Sequence, residues 1–196
     1  MFLLKAVILL GLWPFLLWGQ VHIKPISDYI GITVTGFNNT KIDAITYEHL
    51  QAEPTPSVLI DLRNNTGGHL HEALKFSALF VTANHLIDLQ RSSNTDGVTR
   101  PQSHPYIATK RLIILVNQQT ASAAEASAFV LSKHPKATII GMPTFGKTSI
   151  TSQQNAAKHT QFILPNQQIL PHIQHTFDST TDLQSQHLNA IQLVSD

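Results

Sequence analysis

Apolar and polar positions change rhythm several times along this chain. From Tyr29 to Phe37 (YIGITVTGF), β-branched residues gather at Ile30, Ile32, Thr33, Val34 and Thr35, which predicts a strand. Residues 38 to 52 read as helical. Ser57 to Leu62 (SVLIDL) is a short apolar run between Pro56 and a polar stretch from Arg63 to Gly68, as expected of a strand buried on both faces. A helix follows, because Ala73, Leu74, Ser77, Ala78 and Val81 recur near helical spacing and Phe76, Leu79 and Phe80 widen that face. Residues 91 to 106 are polar, with Gly97, Pro101 and Pro105, and read as a surface loop. Arg111 to Asn117 is a second buried strand, Ala121 to Leu131 an alanine-rich helix, and Ala137 to Ile140 a third buried strand. Strand and helix thus alternate through the middle of the chain, which predicts an α/β layered domain with a largely parallel sheet. The last fifty residues carry weaker signals, for strands at Thr160 to Leu164 and Gln168 to Ile173 and a closing helix from Thr181 to Val194.

The first twenty residues follow a different rule. One early charge at Lys5 precedes an apolar stretch from Ala6 to Trp18, the pattern of an export signal. At about 13 residues it falls short of the roughly 20 needed for a straight bilayer-spanning helix, and Pro14 interrupts it. Leu17 and Gly19 make a poor cleavage site, so an uncleaved anchor that holds the chain to a membrane through residues 6–18 is the alternative. The expectation is a signal peptide or anchor at 1–20, then a single compact domain at 21–196 working outside the cytoplasm, in the periplasm or extracellular space.

Composition narrows the chemistry. A chain of 196 residues that is 42% hydrophobic has room for one domain with a sizeable core. Thirteen Lys and Arg against twelve Asp and Glu form no blocks, which speaks against nucleic-acid binding. The absence of cysteine removes disulfides, thiolate metal sites and cysteine catalysis. Of eleven histidines, only His69 with His71 and His172 with His175 lie close, and neither pair has a third ligand at recognisable spacing, so no metal or other cofactor is expected.

Open α/β sheets place ligands at the carboxyl ends of their parallel strands, and three such ends are unusual here. The first runs Asp61-Leu62-Arg63-Asn64-Asn65-Thr66-Gly67-Gly68, whose paired glycines let the backbone turn tightly and aim amide hydrogens at an anion. The second, Asn117 to Glu125 (NQQTASAAE), puts Ser122 at the first turn of a helix, where the dipole favours an alkoxide and a neighbouring oxyanion. The third, Gly141 to Lys147 (GMPTFGK), delivers a lysine from a turn. A serine hydroxyl needs a base, and lysine serves only when neutral, which desolvation by Phe145 and nearby apolar residues would favour. The bland readings are an N-cap serine, a solvated loop lysine, an Asp61–Arg63 ion pair and a Glu125 that complements the helix dipole.

Taken together, DLRNNTGG, TASAAE and PTFGK, in this order, resemble the carboxyl-terminal processing (tail-specific) serine proteases, over roughly residues 29 to 196. The resemblance implies a ClpP/crotonase-like β-β-α spiral. It also implies Ser122 as nucleophile, Lys147 as general base, an oxyanion hole from Gly67 or Gly68 with Ala123, and Glu125 and Arg63 as supporting residues. The family has a lysine-orienting glutamine four residues after the lysine; here that position is Thr151, with Gln153 slightly further on. The PDZ domain that captures substrate carboxyl termini in the family has no room between Trp18 and Tyr29, so an adaptor would take its place. The implied activity is hydrolysis of peptide bonds in exported polypeptides through an acyl-enzyme; the alternative is an inactive relative acting as a binding or scaffold protein.

Two decoys compete. Gly141 to Thr148 satisfies the phosphate-loop pattern G-x-x-x-x-G-K-[ST], but that loop requires an amphipathic helix after the lysine, and TSITSQQNAAKHTQ has no apolar face. His69 or His71, next to the glycine turn, could instead serve Ser122 as base.

Overall fold

Strands that are apolar at every position need cover on both faces, and the fold supplies it asymmetrically. The computed structural model describes residues 21–39, 41–81, 90–91, 104–147, 149–155, 158–163 and 187–192, for 90–91, 149–155 and 158–163 the main chain only. Its elements are β1 (Val21–Ile26), β2 (Tyr29–Val34), α1 (Ile42–Leu50), β3 (Ser57–Asp61), α2 (Leu70–Ser77), β4 (Gln90–Arg91), β5 (Arg111–Val116), α3 (Ala123–Leu131), β6 (Ala137–Gly141), β7 (Ser149–Asn155) and β8 (Lys158–Ile163). Residues 187–192 form a further helical stretch. The main sheet has the order β1-β2-β3-β5-β6. β2, β3, β5 and β6 run parallel, and β1 is an antiparallel edge.

Each crossover moves to the next strand in the same direction. Right-handed crossovers of that kind put all three helices on one face. Accordingly Val58, Ile60, Leu112, Ile114 and Val116 pack with Ile42 and Leu50 of α1, Ala73 and Phe76 of α2 and Ala124 and Leu131 of α3. The intervening residues Leu59, Ile113, Leu115 and Ile140 point the other way, where Ala190 and Ile191 of the 187–192 helix cover them. Period-two alternation therefore buries both faces of β3 and β5. Phe37, Phe76 and Phe80 stack within the helical layer at 5.9 and 5.6 Å between centroids, and a buried Ser77–Ser127 hydroxyl contact of 2.9 Å joins α2 to α3.

The expected strands at 29–37, 57–62, 111–117 and 137–140 and the helices at 38–52 and 121–131 are present with trimmed ends. The helix read around 73–81 begins earlier, at Leu70, and ends at Ser77. Three strands were not foreseen: β1, β7 and the two-residue β4, whose Arg91 falls at the start of the expected 91–106 loop. β1 contains Pro25, which an edge strand tolerates because its missing N–H faces away from the ladder. β7 is polar apart from Ile150 and pairs with β8 in a separate three-stranded sheet, β4-β8-β7. β8 covers the expected strand at 160–164, whereas 1–20, most of the 91–106 loop and 168–173 lie outside the described residues.

Register sets the position of the site. Asp61 pairs with Leu115, Leu115 with Ile140, and Val116 with Gly141, so the carboxyl ends of β3, β5 and β6 finish at one level. At Gly141 (φ 137°) a Cβ would lie 1.9 Å from the Val116 carbonyl oxygen, a contact only glycine allows. All three unusual segments leave the sheet at that edge.

Candidate active site

The turn after β3 and the turn after β5 are stitched to each other. Asn64 N–H donates to Asn117 Oδ1 at 3.0 Å, and Asn117 Nδ2 donates back to Asn64 Oδ1 at 2.8 Å. Thr120 Oγ1 donates to the Leu62 carbonyl at 2.9 Å, and Ala121 N–H to the Asn65 carbonyl at 3.0 Å. Buried Asn65 ties this turn to β2 through its side-chain amide, which donates to Val34 O at 2.9 Å. The result brings Gly67 against Ser122: a Cβ at Gly67 would lie 2.9 Å from Ser122 Cβ and 3.1 Å from Ala123 N.

Gly67 N–H is already engaged, donating to Asn65 Oδ1 at 2.9 Å. Gly68 differs. Phe37 N–H binds the Gly67 carbonyl and His69 N–H binds the Phe37 carbonyl, so Gly68, between them, turns its own N–H away from Phe37. Of the two amides assigned to the oxyanion hole, that of Gly68 is the available one. Ala123 N–H, at the first position of α3, is the second.

Ser122 is the N-cap of α3 and has φ 57° and ψ −122°, a backbone region that costs a non-glycine residue about 1–3 kcal/mol. A serine on a strained turn between a strand and a helix is how a nucleophile is presented above a sheet edge. Ser122 and Glu125 form a capping box, and Glu125 N–H also goes to the Ser122 main-chain carbonyl at 2.9 Å.

Glu125 organises the site. Fully buried, it accepts four hydrogen bonds: Oε2 from Ser122 N–H (2.7 Å) and Lys147 N–H (3.1 Å), Oε1 from Thr144 Oγ1 and Gly146 N–H (both 2.8 Å). One carboxylate thus holds the Ser122 turn and the Lys147 loop on the same oxygen atom. A buried charge is tolerated when its lone pairs are satisfied in this way. Phe145 N–H adds a 3.0 Å bond to the Thr120 carbonyl.

Ser122, Ala123, Gly67, Gly68, Glu125 and the main chain of Lys147 therefore converge at the sheet edge. The expected desolvation of Lys147 is absent: Lys147 is exposed and Phe145 is 69% exposed, because the loop is held by its main chain and the Thr144 hydroxyl while these two side chains project outward. Thr151 and Gln153 fall on β7, opposite Gln161 and His159. The phosphate-loop decoy fails, since β7 rather than a helix follows the lysine. His69 and His71 are exposed at the start of α2. Among the described residues, no three His, Asp or Glu side chains cluster as metal ligands.

Arg63 lies outside this convergence. Its side chain is buried and grips Asp61, Nε to Oδ1 at 2.9 Å and Nη2 to Oδ2 at 2.6 Å, with its main-chain N–H on Oδ1 at 3.0 Å. Sequence reasoning missed the third member, His187, whose Nε2 lies 2.8 Å from both Asp61 Oδ2 and Arg63 Nη2. No local spacing could have found a partner so distant in the chain. Burial alone would raise the Asp61 carboxyl, but hydrogen bonds from Arg63 and His187 and the Arg63 charge outweigh it and hold the pKa down to about 2.

Residues 28–181 match the model of peptidase family S41. The chain belongs to that family. Its relatives include the carboxy-terminal processing protease CtpA of Bacillus subtilis, 30% identical over 122 residues, which cover 61% of this chain and 26% of that protein. The carboxyl-terminal-processing protease of a Synechocystis strain is 32% identical over 126 residues, 63% of this chain and 29% of the other. This chain thus spans under a third of the length of these relatives. A Parabacteroides merdae protein of known structure superimposes with a TM-score of 0.64 at 14% identity, over 91% of this chain and 65% of that one. The S41 assignment and the one-sided winding of the sheet agree with the expected α/β, ClpP-like fold.

Proposed function

We propose that this S41 chain is an exported serine endopeptidase working through a Ser-Lys pair. Neutral Lys147 takes the proton of Ser122 Oγ as the oxygen adds to a peptide carbonyl, and the N–H groups of Gly68 and Ala123 receive the oxyanion. Collapse breaks the C–N bond, the amine leaves with the proton, and water then hydrolyses the acyl-enzyme. The observation that carries the reading is the Glu125 carboxylate, which binds the main chains of both Ser122 and Lys147. A polypeptide laid across the crevice would supply the dry surroundings that exposed Lys147 lacks, and Thr151 or Gln153 would orient its ammonium. The leader would direct the domain to the periplasm or extracellular space, and an adaptor would deliver substrates.

The test is hydrolysis of unfolded casein by the wild type, Ser122→Ala and Lys147→Ala. Activity confined to the wild type supports the pair, and loss in the lysine variant alone points to another nucleophile. The exposed lysine and Thr151 favour one rival, a binding or scaffold protein. No hydrolysis by the wild type, with casein still bound, would establish that rival.

A further inference from the structure

The buried Asp61–Arg63–His187 cluster does not touch the crevice, yet it sits at the root of the turn that carries Gly68. Asp61 Oδ2, Arg63 Nη2 and His187 Nε2 form a triangle with sides of 2.6, 2.8 and 2.8 Å. All three residues are at most 5% exposed. His187 Nδ1 is buried and has no hydrogen-bond partner among the described residues. The tautomer with its proton on Nε2 donates to Asp61, leaves Nδ1 a bare acceptor and makes the 2.8 Å approach to Arg63 Nη2 a contact between two donors rather than a hydrogen bond. The other would accept from Arg63 but set a lone pair against the carboxylate and bury an N–H with nothing to receive it, the costlier arrangement.

From this cluster a chain of short contacts reaches the nucleophile. Asp61 Oδ1 accepts the Arg63 main-chain N–H at 3.0 Å and so fixes the first peptide of the turn. Asn65 N–H returns to the Leu62 carbonyl at 3.2 Å, and the Asn65 carbonyl receives Ala121 N–H, one residue before Ser122. The other end of the chain of contacts is the 187–192 helix, seated by Ala190 and Ile191 on the sheet face opposite α1–α3.

We propose that His187 is a positioning residue for the catalytic turn: by locking Asp61 against Arg63 it fixes residues 62–68, and it couples docking of the 187–192 helix to the aim of the Gly68 amide at Ser122. The inference rests on the Ser122 reading for its catalytic consequence, but not for its structural one. A merely structural histidine would, on removal, loosen the whole domain; a positioning one loosens the turn and lowers kcat.

The experiment uses the full chain as wild type, His187→Phe, which fills the site without a donor, and His187→Gln, which restores an N–H toward Asp61. Amide hydrogen exchange is followed residue by residue, with kcat and KM on a fluorogenic peptide and global stability in urea. For His187→Phe, exchange at the hydrogen-bonded amides of Asn65 and Gly67 is expected to rise by about tenfold, as for loss of a hydrogen bond to a charged group. Its kcat should fall by about tenfold or more, as displaced catalytic groups do. KM should stay within about twofold, and His187→Gln should recover most of both losses. Exchange rising uniformly over α1, β2 and the turn, or wild-type exchange and kcat in His187→Phe, would overturn the proposal. If the wild type hydrolyses nothing, the peptidase reading fails, and exchange at Asn65 and Gly67 still decides whether His187 holds the turn.

Discussion

Replacing Glu125 by glutamine tests the clamp most directly, because it changes charge and one donor–acceptor match at nearly constant volume. In the better of its two orientations the glutamine oxygen keeps the bonds from Ser122 N–H and Lys147 N–H, while its NH2 donates to Thr144 Oγ1, whose hydroxyl can turn to accept. Gly146 N–H, which donates to Glu125 Oε1 at 2.8 Å in the native site, is then left facing a donor. One buried N–H without an acceptor costs about 1–3 kcal/mol, and the two retained bonds weaken by roughly 1 kcal/mol once the charge is gone. The sum, about 2–4 kcal/mol, is a large part of the roughly 5–15 kcal/mol that stabilises a typical domain. Urea unfolding should therefore show a midpoint lower by about 1–2 M with an unchanged m value. At urea-free equilibrium the folded variant should cleave peptide about a hundredfold more slowly, since the lysine loop loses one of its fixed points. A variant with the wild-type midpoint and wild-type turnover would refute the idea that this carboxylate holds the two loops together.

Three further outcomes follow from the same geometry. Gly67→Ala sets a methyl 2.9 Å from Ser122 Cβ at φ 106°, so it should cost about 1–3 kcal/mol in urea titration and abolish cleavage; retention of both would show that the two turns are not in contact. Ser122→Gly relieves the strain at φ 57° and should raise stability by about 1 kcal/mol while eliminating hydrolysis, whereas a destabilised variant would contradict the strain. Asp61 titrates at about 2 in the folded chain against an ordinary value of 3.8. A lowered carboxyl pKa stabilises the fold above the unfolded value, so about 2 kcal/mol present above pH ~4 should disappear as pH falls toward 2. Unfolding free energies of wild type and Asp61→Asn measured between pH 2 and 5 check this, and equal slopes in the two proteins would count against it.

The sequence by itself determined the layered α/β fold and the order of the reactive segments. The buried strand Arg111–Val116 is apolar at every position after its first, Ala123–Leu131 is alanine-rich, and the glycine, serine and lysine turns sit directly after such strands; these are local patterns, readable without a partner. β1 and β7 were hidden because one carries a proline and the other no apolar alternation, and each is a strand only by virtue of the neighbour it pairs with. Only the tertiary structure decided which of two adjacent glycine amides is available, since that depends on Asn65 and Phe37. It also decided that Glu125 is a clamp between two loops rather than a dipole-complementing residue on the helix surface, because three of its four donors come from outside its own helix. His187 lies furthest from what a sequence can reveal: a single histidine gains its role from a hydrogen-bond partner that folding delivers across the sheet, and no spacing along the chain encodes that meeting.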